Sequence, residues 1–219
     1  MKIITLAAQK GGCGKSSLAI SCAVLAAQQA QRALLFDLDP QQTLATWKRT
    51  RELPAPEVRK SADGPLEEEL QELARAPFDF IFIDTPGHDN FLVGAAIRHA
   101  SFTLIPCRPA VADIAAVVAT ARLASALKRP FAFVLEHVQP RGTRAEEAAA
   151  ELAIVGEVAP VRIRQRMAWQ DAFADGQGVS EYEPKGAAAR ELAALWRWLN
   201  TRINQGGLHA ETATNQVSG

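Results

Sequence analysis

Residues Lys10 to Ser17 read K-G-G-C-G-K-S-S, between an apolar run (Ile3 to Ala8) and an alanine-rich stretch of helical character. Glycines at 11, 12 and 14 let backbone N–H groups turn inward around an anion, because no Cβ stands in the way. A helix starting at Lys15 would aim its positive dipole end at the same point. Lys15 then supplies a point charge for the β- and γ-phosphates, and Ser16 a hydroxyl for Mg²⁺. The stretch predicts strand, loop and helix around a nucleotide phosphate site formed by Lys10, Gly11, Gly12, Cys13, Gly14, Lys15, Ser16 and Ser17.

The rest of the chain repeats that alternation. Strands are predicted at Lys2–Ala8, Ala33–Asp37, Phe78–Asp84, Phe102–Pro106, Phe131–His137 and Val158–Ile163, with a short one at Glu57–Ser61. Helices are predicted at Lys15–Gln31, Thr43–Arg51, Pro65–Arg75, Asn90–His99, Val111–Leu127 and Thr143–Leu152. Leu192, Leu195, Trp196, Leu199 and Ile203 follow helical spacing and form one apolar face of a closing helix. Gly206 and Gly207 predict its end, and the polar tail 206–219 reads as disordered. The expectation is one α/β domain over 1–205, a mostly parallel central sheet with helices on both faces. Such sheets bind ligands outside the carboxyl ends of their strands, where the motifs fall.

Two acidic segments share that edge. Phe36 to Gln41 (F-D-L-D-P-Q) closes the second strand, and alternation predicts Asp37 and Asp39 on one face. Carboxylates there suit metal and water positioning; a solvated turn capping a helix is the plainer reading. Phe80 to Gly87 (F-I-F-I-D-T-P-G) ends an apolar strand on Asp84, whose charge bound Mg²⁺ would stabilise through water. Asp89 or Asn90 suits a helix N-cap, and His88 is given no role.

The loop departs from G-x-x-x-x-G-K-[ST], because Gln9 stands at the first glycine position and Lys10 is an additional lysine. This is the deviant Walker A motif of P-loop NTPases, and the chain resembles the ParA/MinD family of ATPases. Asp37 to Gln41 looks like that family's D-x-D-P-Q signature, and Phe80 to Gly87 like its Walker B strand and switch. The resemblance implies ATP and Mg²⁺ as cofactors and a homodimer formed on ATP. Lys10 would reach the partner's nucleotide, unless it is another solvated lysine. Lys15 would hold phosphate, Asp39 would orient or activate the attacking water, and Ser16, Asp84 and, through the loop, Asp37 would serve the metal. Pro106 to Pro109 with Asp113 resembles a segment near the nucleotide and dimer face, although Asp113 equally suits an N-cap. Gly176 to Val179, Pro184 and Glu191 resemble the family's ending.

Within that family, residues 1–9 leave no room for a helix-turn-helix, so the short ParA type without its own DNA reader is expected. Formal net charge is zero, so any nucleic-acid binding needs a local patch. Arg162, Arg164 and Arg166 share a face if the last strand continues through them. They read as phosphate contacts to nonspecific DNA, as a solvated strand end, or as part of the adenine pocket. The tail has no Lys or Arg after Gly207 and little apolar content, which argues against a membrane-lying helix. Three scattered cysteines, Cys13, Cys22 and Cys107, with no C-x-x-C pair, argue for a reducing compartment and against a cluster or zinc site. The expected function is a slow ATPase, cytoplasmic and nucleoid-associated. It would bind DNA nonspecifically and be stimulated by a ParB-like or cargo-adaptor protein to segregate plasmid or chromosomal DNA. Positioning of a non-DNA cargo by the same cycle, a P-loop metabolic enzyme, and a binding module that never hydrolyses are the other readings.

Overall fold

The computed structural model describes residues 1–62 and 65–215. Seven strands form one sheet: β1 (Lys2–Leu6), β2 (Ala33–Asp37), β3 (Glu57–Lys60), β4 (Phe80–Asp84), β5 (Phe102–Cys107), β6 (Phe131–Val138) and β7 (Glu157–Arg164). Their spatial order is β3-β2-β4-β1-β5-β6-β7, and every pairing is parallel. The expected mostly parallel sheet is therefore wholly parallel among the described residues.

Period-two alternation sorts each strand's side chains between two covered faces. Ile4, Leu6, Leu35, Phe80, Phe82, Leu104, Ala132 and Val134 pack on one side with α1 (Lys15–Gln28), α2 (Thr43–Thr50) and α9 (Ala187–Asn215). There Trp196 of α9 tilts against Phe80 with ring centroids 4.9 Å apart, and its indole N–H donates to Gln29 Oε1 at 3.0 Å. Leu34, Phe36, Ile81 and Ile83 face the other side, under α3 (Leu66–Leu73) and α4 (Asn90–His99). Ile105, Phe133 and Leu135 continue that side under α5 (Val111–Ala126) and α6 (Arg144–Ala153). Because β1 leads into a helix on one face and neighbouring β4 into a helix on the other, a crevice opens above their carboxyl ends.

Two short helices were not legible in the sequence, α7 (Met167–Ala174) and α8 (Val179–Tyr182). The backbone of α9 stays helical through Gly206 and Gly207 to Asn215, past the stop that the glycine pair predicts. Glycine in a helix interior costs roughly 1 kcal/mol without ending the helix by itself. Residues 216–219 of the expected tail lie outside the described residues.

Candidate functional site

The loop from Lys10 to Ser17 rises from β1 and enters α1 at Gly14, whose φ of 92° is left-handed, as is that of Gly12 at 71°. Lys15 is buried, and its ammonium donates to the carbonyls of Lys10 at 3.0 Å and Ala8 at 3.4 Å, inside the loop's own ring. Gly87, after β4, presses on the same loop: a Cβ there would lie 3.0 Å from the Gly11 nitrogen. The switch segment and the phosphate loop therefore touch backbone to backbone. Together with Asp39, Pro40, Gln41, Thr43 and His88 they line a cavity of about 530 Å³.

Ser16 and Asp84 meet at the floor. The Ser16 hydroxyl donates to Asp84 Oδ2 at 2.5 Å, while Asp84 Oδ1 is buried without a partner. Burial pushes the Asp84 carboxyl up to about 7, against the opposing effects of Ser16 and Lys15. A buried carboxylate oxygen with no donor beside a hydroxyl is a hard-oxygen pair of the kind Mg²⁺ takes. These two residues fit that ion, either directly or through water.

Asp37 and Asp39 part company. β2 ends at Asp37, so the two do not share a strand face as expected. The buried Asp37 carboxylate accepts from the backbone N–H of Asp39 and of Leu44, both at 3.1 Å, and so ties the loop to the start of α2. Both its oxygens thus accept from backbone N–H groups. Asp39 sits on the turn, accepts from Gln41 N–H at 3.0 Å, and faces the cavity.

Lys10 is ion-paired with Asp113 within the same chain, and Asp113 also receives Arg108 Nε at 2.9 Å. The two cations hold the Asp113 carboxyl below its usual range despite burial. Asp113 is not the N-cap of α5, which is Ala110; Asp89, by contrast, caps α4 by accepting from Phe91 and Leu92 N–H.

The three arginines do not line up on one strand. β7 stops at Arg164, and Arg166 is already the N-cap residue of α7. Arg162 pairs with Glu146 at 3.1 Å and Arg166 with Glu191 at 2.6 Å, while Glu191 also accepts from the Arg164 backbone N–H. Arg164 and Arg166 line a second cavity, of about 330 Å³, that shares Gly14, Ser17 and Thr43 with the first.

Glu136 went unmarked in the sequence. It stands on β6 with the parity of Ala132 and Val134, beneath α1, and is buried. A Cβ on Gly14 would overlap its carboxyl group. Burial pushes that carboxyl up to about 8, which favours its neutral form. Strand parity toward the helix that follows the glycine loop was the one signal that could have flagged it.

Cys13, Cys22 and Cys107 are free and buried, and burial raises each thiol, so none is poised as a thiolate. Among the described residues there is no group of three or more His, Cys, Asp or Glu that could hold a metal, and no helix long and apolar enough to cross a membrane.

Residues 4–179 match the model of the CobQ/CobB/MinD/ParA nucleotide binding domain. The chain is similar to maintenance of carboxysome distribution protein A of Halothiobacillus neapolitanus, 26% identical over 204 residues, covering 87% of this chain and 93% of that protein. In fold it resembles MinD in the MinC:MinD cell division complex of Aquifex aeolicus, with a TM-score of 0.78, 17% identity, and 92% and 96% of the two chains covered. It also resembles the septum site-determining protein MinD of Pyrococcus horikoshii complexed with Mg-ADP, with a TM-score of 0.75, 16% identity, and 94% and 98% covered.

Proposed function

Because the chain belongs to the CobQ/CobB/MinD/ParA family of nucleotide-binding domains, we propose that it is a ParA-type ATPase whose single domain, 1–205, dimerises on ATP and binds DNA nonspecifically. The convergence of the glycine loop, Lys15, the Ser16–Asp84 pair and Asp39 on one cavity carries this reading. The loop's N–H groups and Lys15 hold the phosphates, and Ser16 and Asp84 hold Mg²⁺. Mg²⁺ held by these two residues would supply positive charge against the negative charge of the reacting phosphate. Asp39 orients the attacking water. Lys10 leaves Asp113 to reach the partner subunit's nucleotide, and Arg108 remains as the counter-ion of Asp113. Gly87 follows the terminal phosphate, so hydrolysis is felt by the switch and reopens the dimer. A partner protein stimulates that step, because a slow intrinsic rate lets the ATP state persist.

The cargo is plasmid or chromosomal DNA in the first reading. The likeness to a carboxysome distribution protein favours a second, the same cycle positioning a non-DNA cargo over the nucleoid. The deciding measurement is anisotropy on two unrelated duplexes at several salt concentrations, with and without ATP. Binding that needs ATP, ignores sequence and weakens steeply with salt is expected. Absence of DNA binding even at low salt would sink the nucleoid-based reading and favour a metabolic P-loop enzyme.

A further inference from the structure

A third cleft, of about 600 Å³, opens at the carboxyl ends of β5 and β6, between the starts of α5 and α6. Arg108, Arg141 and Arg144 line it, and the one carboxylate among its lining residues is Asp113. It shares no lining residue with the phosphate cradle. Arg141 and Arg144 are exposed and have no ion-pair partner among the described residues. The nearby acids of α6 are engaged elsewhere, Glu146 by Arg162 and Glu147 by the Thr143 hydroxyl. Cations gathered in a cleft repel one another, and an anion seated among them relieves that repulsion. We infer that this cleft is a second anion site for a small molecule bearing two phosphates, and, resting on the reading that Lys10 crosses to a partner subunit, that filling it holds Lys10 on Asp113 and opposes dimerisation.

Charge sets the ligand class. Lys10 and the three arginines carry four positive charges against one negative charge on Asp113, a surplus of three. One phosphate group brings roughly −1.5 to −2, so a pair of them balances the surplus and a single carboxylate does not. Arg108 has a donor to spare: its Nε and Nη2 reach Asp113 at 2.9 and 3.3 Å, while Nη1 has no acceptor among the described residues. The planar guanidinium fork suits phosphate oxygens. The shape agrees, because a concave cleft of this volume encloses a small ligand, whereas a duplex lays its phosphates along a surface. A duplex is the wrong occupant on a second ground: in the proposed cycle DNA is held by the ATP-bound dimer, which an anion in this cleft works against.

The coupling to Lys10 is electrostatic. Buried Asp113 is shared by Lys10 and Arg108. An anion touching Arg108 draws on the charge that Arg108 gives Asp113, so Lys10 becomes the main counter-ion of that carboxylate. The anion also adds negative potential where the Lys10 ammonium stands. Both effects raise the cost of moving Lys10 to a partner subunit. By linkage, dimerisation on ATP must in turn weaken binding of the anion.

The test is calorimetric titration of inorganic pyrophosphate into the full chain with ADP and Mg²⁺ saturating the cradle. Wild type should show one further site per chain. Arg141→Ala/Arg144→Ala should weaken it about tenfold for each arginine removed, the worth of a charge-assisted hydrogen bond, with ADP affinity unchanged. No site in wild type, or equal affinity in the double variant, overturns the anion site. So does a wild type that ignores pyrophosphate while the two alanines weaken its binding to a duplex, since the cleft then serves DNA. Light scattering next reads the ATP concentration at half-dimerisation. Pyrophosphate should raise it in wild type by more than in Arg141→Ala/Arg144→Ala, where only competition for the cradle remains; an equal rise overturns the hold on Lys10. A wild type that never dimerises on ATP sinks the reading of Lys10 and the regulatory half with it, while the titration still decides the site.

Discussion

Replacing Gly14 by alanine imposes two separable costs. The first is local. Gly14 has φ 92° and ψ 4°, and a residue with a Cβ in the left-handed region costs about 1–2 kcal/mol. The second is steric. The new methyl group overlaps the Glu136 carboxyl, which is buried under α1 and can retreat only into the neighbouring cavity. Overpacking of this kind costs about 1–3 kcal/mol. The expected loss is therefore about 2–5 kcal/mol, which in a chain of this size lowers Tm by roughly 4–20 °C. Gly12→Ala is the internal control: Gly12 has φ 71°, but no atom lies within 4 Å of its would-be Cβ, so it carries only the backbone cost. In the double mutant Gly14→Ala/Glu136→Ala the steric part should vanish. A double-mutant cycle by urea unfolding should then give a compensating coupling of about 1–3 kcal/mol. Additive single effects, or a Gly14→Ala cost no greater than that of Gly12→Ala, would refute the packing of Glu136 on the phosphate loop.

Lys10→Ala should keep nucleotide binding but lose ATP-dependent dimerisation and turnover, read by light scattering and phosphate release; Asp113 still has Arg108. A mutant that dimerises normally would return Lys10 to a surface role. Asp39→Ala should bind ATP and Mg²⁺ yet hydrolyse slowly, since it removes a group needed more in the transition state than in the ground state; loss of binding itself would count against that role. Glu136 is raised to about 8 from 4.5, so the folded state binds more protons than the unfolded one, and stability falls as pH rises through that window. Glu136→Gln cannot ionise, so its stability relative to wild type should increase between about pH 4.5 and 8, by an amount on the order of a few kcal/mol. Asp84 is common to both proteins, and Cys13 and Cys22, whose thiols burial and the Glu136 charge raise, stay protonated through this window, so a pH-independent difference would show that Glu136 does not titrate there.

The strand and helix order was legible because most strands, β3 (E-V-R-K) apart, are short apolar runs closed by a polar or glycine-rich loop; Asn90–His99 has the same limits in sequence and structure. The two short helices were not. α8 has four residues, too few for a periodic signal, and in α7 only Gln170 and Asp171 are polar, so no apolar stripe stands out; both are held by neighbours distant in sequence. Gly178 packs on Val24 of α1, and Gly176, at φ 66°, lies against the backbone of Arg51. That the glycine loop, Asp39 and the Ser16–Asp84 pair come together was legible from spacing because each segment follows the end of its own strand. The pairing of Lys10 with Asp113 was not, because it depends on β1 lying next to β5. Glu136 escaped for a related reason: one acid near the end of an apolar strand reads as the approach of solvent, and only the position of β6 relative to α1 makes it interior.

Charge accounting bears on where DNA would lie. A chain of zero net charge can hold phosphates only where its cations cluster and are not engaged by its own carboxylates. Arg166 and Glu191 are both mostly shielded from water and also hold the start of α7 to α9, so trading Glu191 for a phosphate would disturb the fold as well as the pair. Arg162 is different. Its partner Glu146 is 71% exposed, and a solvent-facing pair of this kind contributes about 0–1 kcal/mol, small enough for a DNA phosphate to displace. Arg141 stands exposed on the loop between β6 and α6, and Arg144 stands exposed at the start of α6, the helix that carries Glu146. Of the three arginines singled out by their spacing, Arg162 is the one whose ion pair a phosphate could displace, with Arg141 and Arg144 exposed at the entry to α6, while Arg164 and Arg166 border the cavity beside the cradle. Substituting Arg166 would be felt first by the nucleotide, and substituting Arg162 first by DNA.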